Sequence, residues 1–440
     1  MWSSHGLTPY LGYTLHWIDD DWNLRTRNLG TKYVPEDHTA ANIARSMNDT
    51  LQHWKLDENN QVVITTDNGA NIKKACQQNK WVNIPCFGHN LHLAITNTLA
   101  KEPKLCRAMG VCKKVVSAFG TSWKRRRDLQ AAQLQDEPEK KIKKLASECP
   151  TRWGSTQRMI SRVLHNKSGI RRVLGGDRET SHLVPTWQDL EVLECLNNAL
   201  SPLKDFTDIL SASSYITISV VKPILHRLST VELATKDEDL PLARQLKSEI
   251  LRRLKSRYQA ADLQRLLNVA SFLDARYKTD FMLNNVDNEE GDDEPSQVQF
   301  VKEELLSQAV FLNESSAADD EILQPPQKKA KLSLGALTSL KQPKISASSA
   351  QSPRQRLSRE IEQYLKYSVI DGDENPLEWW RRNEREFPLL SQLGKKYLCI
   401  QASSSPSERL FSKAGLIATP ARANLKPEKV DMLVFLAENL

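Results

Sequence analysis

Residues 62–66 read Val-Val-Ile-Thr-Thr, a continuous β-branched run that stops at Asp67-Asn68-Gly69. β-branched side chains favour extended backbone, and a run without polar alternation suits a strand covered on both faces. Such a strand needs neighbours in its own sheet and helices above and below it. One pentapeptide therefore commits this part of the chain to a layered α/β fold. The flanking pattern agrees. Residues 10–18 and 22–34 space Tyr, Thr, Leu and Ile as strands do, with Asp19-Asp20-Asp21 as a hairpin turn. Ala40, Ala44, Met47, Leu51 and Trp54 recur at steps of four and three, which marks one helix face. A helix is expected from Ala70, a short strand over residues 81–84, and another helix from about Phe87.

From about residue 91 to 283 the pattern turns helical. Leu190, Leu193, Leu196, Leu200 and Leu203 form one apolar stripe, and Leu251, Leu254 and Tyr258 another, as the core of a helical bundle would. Residues 284–359 are acidic, then rich in Ser, Gln, Pro and Lys with few aromatics; little fixed structure is expected beyond one helix around 298–311. Structure resumes at Glu360 and runs to Leu440. The expected organisation is thus 1–90, first part of the α/β domain; 91–283, helical insertion; 284–359, linker; 360–440, C-terminal helical region. No long uncharged apolar run is present for a membrane-spanning helix. The first residues lack the basic and apolar stretches of a secretory signal. Seven scattered cysteines fit a reducing compartment better than a disulfide framework. A soluble intracellular protein is expected.

The net charge of +7 conceals larger blocks. Residues 121–172 hold 14 Lys and Arg against 5 Asp and Glu, including Lys124-Arg125-Arg126-Arg127 and the lysines at 140, 141, 143 and 144. Residues 284–324 hold 12 acidic residues and one Lys, and residues 325–359 eight basic residues and no acidic one. Clustered cations bind phosphates without regard to sequence. Lys328, Lys329 and Lys331, beside Pro325-Pro326, read as a nuclear-import signal.

Two carboxylates invite chemistry. Asp67 ends the buried strand, where a carboxylate can hold a divalent metal beside a nucleic-acid backbone; cleavage with two Mg²⁺ ions needs several such groups converging. The plainer reading is a turn residue or a helix cap. Glu408 lies in Ser405-Pro406-Ser407-Glu408-Arg409, which reads as a capping box with Ser405 as N-cap. No spacing argument links the two acids.

A resemblance does link them. Pro376-Leu377-Glu378-Trp379-Trp380, Pro388-Leu389-Leu390, Ser403-Ser404-Ser405, Ser407-Glu408-Arg409-Leu410-Phe411-Ser412, Arg422, Leu425 and Val434-Phe435-Leu436 resemble the C-terminal dimerisation region of hAT-superfamily transposases. Upstream, Thr14-Leu15-His16-Trp17-Ile18-Asp19, Thr66-Asp67-Asn68-Gly69-Ala70-Asn71, Cys86-Phe87-Gly88-His89 and Thr151-Arg152-Trp153 follow in the family's order. The resemblance is closest to the zinc-finger BED-domain-containing proteins.

It implies an RNase H-like mixed sheet interrupted by a large all-α insertion, with an α-helical C-terminal dimerisation region. It also implies a D-D-E metal triad in which Asp67 matches the second acid and Glu408 the third. The first would stand two residues before Trp2, just ahead of Met1, and no BED finger is present; Asp19, Asp20 and Asp21 stand too far along the first strand to replace it. The expectation is therefore no strand cleavage, with weak Mg²⁺ at Asp67 and Glu408 at most. The alternatives are a competent nuclease whose first acid lies upstream of a miscalled start, and an interaction scaffold that binds no DNA. By the same resemblance Arg152 and Trp153 grip DNA beside Lys124, Arg125, Arg126 and Arg127, against the plain reading of Trp153 as core. Trp379, Trp380, Phe411, Leu433, Phe435 and Leu436 are expected to serve docking on the α/β layer or on a second copy. Cys86, His89 and His92 have zinc-like spacing but lack a second pair, so no zinc is expected. The expected partners are DNA and a second copy or a related hAT/BED chain, in the nucleus and off the membrane.

Overall fold

Three strands open the chain: β1 (Trp2–Ser3), β2 (Pro9–Ile18) and β3 (Leu24–Tyr33), paired in that order, with Trp2 opposite Tyr10 and Ser3 opposite Pro9 in an antiparallel ladder. This computed structural model describes residues 2–3, 7–56, 63–136, 139, 141–149, 153–211, 215–282, 297–316, 352–419, 422 and 425–440. The hairpin turn is longer than the three aspartates suggested. Asp19 accepts from the Asn23 amide at 2.8 Å and from Arg25 Nε at 2.6 Å. Trp22 takes a left-handed φ of 62°, so it cannot begin the strand, which starts at Leu24.

Helix α1 (Ala40–His53) is capped by the Thr39 side chain, which accepts from the Asn42 amide. Its Ile43, Ala44 and Met47 pack with Ile72, Ala75 and Cys76 of α2 (Ala70–Gln78) and with Leu11 of β2. Between them runs β4 (Ile64–Thr66), parallel to β5 (Asn83–Pro85), with Ile64 opposite Asn83. Val62 of the β-branched run lies outside the described residues. The strand expected at 81–84 starts at Asn83 because α2 ends on left-handed Lys80, and the Trp81 amide bonds back to the Cys76 carbonyl.

The helical stretch follows: α3 (Phe87–Leu99), α4 (Pro103–Gly120), α5 (Trp123–Asp136), α6 (Trp153–His165), α7 (Lys167–Gly175), α8 (Trp187–Leu210), α9 (Val221–Arg227), α10 (Pro241–Lys255) and α11 (Ala261–Leu273). The α8 stripe buries Leu193, Leu196, Leu200 and Leu203, and α10 buries Leu254, as an amphipathic bundle requires. Beyond it come α12 (Gln297–Ser307), α13 (Ala309–Ser316), α14 (Pro353–Lys366), α15 (Pro376–Asn383), α16 (Pro388–Leu398), α17 (Ser405–Ile417) and α18 (Pro427–Asn439). Helix in the acidic-to-basic stretch thus extends past the one expected segment. Helix α14 starts at Pro353, ahead of 360, because Ser352 and Gln355 form a capping box.

The chain divides into two compact units that cut across the sequence segments: residues 1–16, 26–264 and 400–440, and residues 17–25 and 265–399. In the first, α17 and α18 finish the opening sheet. Tyr10, Leu410, Ala414, Val430 and Val434 form one buried cluster. The Asp431 carboxylate accepts from the Thr31 amide at 2.6 Å, and Asn439 exchanges hydrogen bonds with the Asn28 backbone at 3.0 and 2.8 Å.

The second unit is built on aromatics. Trp380, fully buried, stacks on Trp22 at 6.0 Å and on Tyr364 at 5.4 Å, and its indole donates to the Leu273 carbonyl at 2.8 Å. Lys278 sits over the Tyr364 ring at 4.5 Å and donates to the Tyr364 and Tyr367 carbonyls at 2.7 and 2.5 Å; burial pushes its ammonium down to about 8.

Candidate functional site

Because β4 and β5 are parallel, both end at one edge. Asp67 follows β4 there, and Cys86 follows β5. The segment leading into α17 crosses the same edge. Thr65 Oγ1 donates to the Gln401 carbonyl at 2.5 Å, and the Phe87 amide donates to the Ala402 carbonyl at 2.9 Å. The Cys86 thiol meets Ser403 Oγ at 3.8 Å. Helix α17, carrying Glu408, therefore starts from the edge where Asp67 sits, which no sequence spacing indicated.

Each carboxylate has local work. Asp67 Oδ1 accepts from the Gly69 amide at 3.0 Å, closing the turn. Glu408 Oε1 accepts from the Ser404 hydroxyl at 3.3 Å. The expected capping box is displaced: Ser404 is the N-cap, Ser405 is already helical, and Ser403 Oγ accepts from the Ser405 amide at 3.1 Å. Glu408 therefore sits one position too deep to return the bond a capping box requires. Burial lowers the Lys73 pKa and nearby Arg257 lowers it further, while Asp67 opposes the shift. Asn68 Nδ2 donates to buried Asn90 Oδ1 at 2.7 Å, tying the turn to α3.

Among the described residues no three His, Cys, Asp or Glu side chains converge as metal ligands would. A two-ion clamp needs several convergent carboxylates. Two acids, each bonded to its own turn or cap, do not fit that group. His89 and His92 lie 6.1 Å apart ring to ring, and burial, then the neighbouring His89, lowers the His92 pKa.

The basic residues resolve differently. Lys124, Arg126 and Arg127 are exposed on the first turn of α5. Arg125 turns inward to Asp177 at 3.3 Å and to the Ala118 carbonyl at 3.4 Å. Exposed Lys141, Lys143 and Lys144 run alongside, held where the Lys143 amide donates to Gln133 at 2.9 Å. Trp153 is 4% exposed among the buried residues of α6, so its ring belongs to the core rather than to a surface that could stack on a base. Arg152, Lys140, Lys328, Lys329 and Lys331 lie outside the described residues.

The six residues expected at a docking surface also separate. Trp380 is in the core, and Trp379 packs edge-on against it at 5.0 Å. Phe411 stacks on Trp2 at 6.1 Å, and Phe435 on Trp54 at 5.7 Å. Leu433 and Leu436 remain exposed on α18, beside exposed Met432. The 432, 433, 436 spacing carried that signal, which residue type alone does not show.

Comparison with known proteins now adds to this geometry. Residues 360–440 match the model of the hAT family C-terminal dimerisation region, and residues 1–81 that of the ZBED1 RNase-like domain. Over these two segments the chain is similar to hAT-superfamily, transposase-derived proteins, and its C-terminal segment matches their dimerisation region. The fold agrees: a mixed RNase H-like sheet opens the chain, followed by a large helical insertion and a C-terminal helical dimerisation region. The similar proteins include BED zinc-finger proteins and a transposase. Zinc finger BED domain-containing protein 4 of Homo sapiens is 23% identical over 100% of this chain and 37% of its own length. Zinc finger BED domain-containing protein 6 of Mus musculus is 22% identical over 100% and 47%. The Hobo transposase of Drosophila melanogaster is 27% identical over 57% and 36%. The chain spans about half the length, or less, of these curated relatives. No helix among the described residues is long and apolar enough to cross a membrane.

Proposed function

We propose that this chain is a nuclear, dimerising protein that binds nucleic acid through its basic insertion and does not cut it. The observation that carries the reading is the outer face of α18. Met432, Leu433 and Leu436 are 52, 38 and 41% exposed, on a helix whose inner face, Val430 and Val434, is buried against its own sheet. An aligned, charge-poor apolar face inside a region matched as a dimerisation region is what an oligomer core uses.

Nucleic-acid binding is supported by the exposed cations of α5 and the adjoining lysines, and a non-cleaving role by the want of three convergent ligand side chains among the described residues. The relatives' printed names include a BED zinc finger, so the second subunit is either another copy or such a relative. Lys328, Lys329 and Lys331 are the import signal of this reading.

The experiment is co-expression of two differently tagged full-length copies, followed by capture on one tag and detection of the other. Recovery of both supports the reading, and recovery of one alone refutes it. Point variants are the proper controls, because deleting residues 400–440 would strip the cover from Tyr10.

A further inference from the structure

We propose that Trp123 is a stacking platform for unpaired bases, so that α5 holds single-stranded nucleic acid in preference to duplex. The proposal deepens the nucleic-acid reading above and rests on it. Tryptophan is normally among the largely buried residues, yet Trp123 is 62% exposed. The Arg127 guanidinium, one turn along the helix, lies over its ring at 5.3 Å from the centroid. A guanidinium over an indole holds the ring in place and leaves it accessible. Lys124 and Arg126 flank it, exposed and without a carboxylate partner among the described residues. Arg125 anchors the same turn to Asp177.

Chemistry selects the occupant. A protein-docking aromatic sits in a charge-poor surround. Here four consecutive cations follow the ring, Arg125 paired with Asp177 and Arg127 with Asp128, which leaves Lys124 and Arg126 to the solvent. Phosphate contacts alone would treat duplex and single strand alike apart from charge density. A ring among such cations adds a term that unpaired bases alone can satisfy, since paired bases already stack on their neighbours.

The test uses the full chain and fluorescence polarisation with three labelled probes: an oligothymidylate, an abasic backbone of equal length, and a blunt duplex. The wild type is expected to bind the oligothymidylate about tenfold more tightly than the abasic backbone. Trp123→Ala removes that difference and leaves abasic and duplex binding unchanged, while Trp123→Phe keeps most of it. Equal wild-type affinity for oligothymidylate and abasic backbone overturns the proposal. So does a Trp123→Ala variant that weakens all three probes alike. Duplex binding without a Trp123-dependent preference overturns this inference alone. Failure of the wild type to bind any probe overturns the nucleic-acid reading with it.

Discussion

The Thr65 hydroxyl donates to the Gln401 carbonyl at 2.5 Å, joining β4 to a residue 336 positions later. This bond fixes where the C-terminal region crosses the strand edge and so where α17 begins. Thr65→Val keeps the β-branched shape but removes the hydroxyl that donates to the Gln401 carbonyl. The expected loss is about 1–2 kcal/mol in urea unfolding. Thr65→Ser should lose less, and equal losses would mean that shape, not the hydrogen bond, matters.

Gly12 is where β2 accepts α17. A Cβ there would stand 2.8 Å from Phe411 and 2.9 Å from Leu410, and Phe411 has little room because it stacks on Trp2. Gly12→Ala should cost about 1–3 kcal/mol as overpacking. Adding Phe411→Leu should recover part of it, a coupling that thermal melts of the single and double variants would measure.

His16 gives the first unit an acid-sensitive point. Its ring sits between the Thr14 and Thr26 hydroxyls at 3.1 and 3.0 Å, and burial lowers its pKa from 6.5 to about 4. The unfolded chain therefore binds the proton more tightly. His16 contributes its stability above pH 6.5 and loses it progressively as pH falls towards 4. Allowing for partial exposure, acidification from pH 7 to 5 should cost on the order of 1 kcal/mol through this residue. A His16→Asn variant should show a correspondingly smaller change in its urea midpoint, and an identical change would exclude the ring as the cause.

The sheet, the first helices and the bundle stripes were legible because each follows from local periodicity. What escaped was set by tertiary packing. Trp22 looked like a strand residue, but its left-handed turn delivers the ring to Trp380. Ser405 looked like a cap, but Ser403 and Ser404 take up the bonds at that helix start. The aromatic expected to be available was Trp153, yet Trp153 is buried and Trp123 is exposed. Residue type says that an indole is present, and only packing says which side of it meets water. That the segment leading into α17 crosses the edge where Asp67 sits rests on bonds such as Thr65–Gln401, and no pattern within either segment encodes that.

With Mg²⁺ and a terminal-repeat duplex, the wild type should nick no faster than Asp67→Ala, as read on denaturing gels. Mg²⁺-dependent nicking that Asp67→Ala abolishes would contradict the non-cleaving reading. Duplex binding should weaken with salt. The triple variant Lys124→Ala/Arg126→Ala/Arg127→Ala should make the log–log salt slope shallower by about one for each phosphate that is no longer neutralised.

The central claim is that the outer face of α18 joins two subunits. Light scattering of the full chain and of Leu433→Asp/Leu436→Asp over a concentration series tests it most directly. The account predicts twice the 50.0 kDa chain mass for the wild type, and the single-chain mass with an unchanged circular dichroism spectrum for the variant. A monomeric wild type, or a variant that stays dimeric, would contradict it.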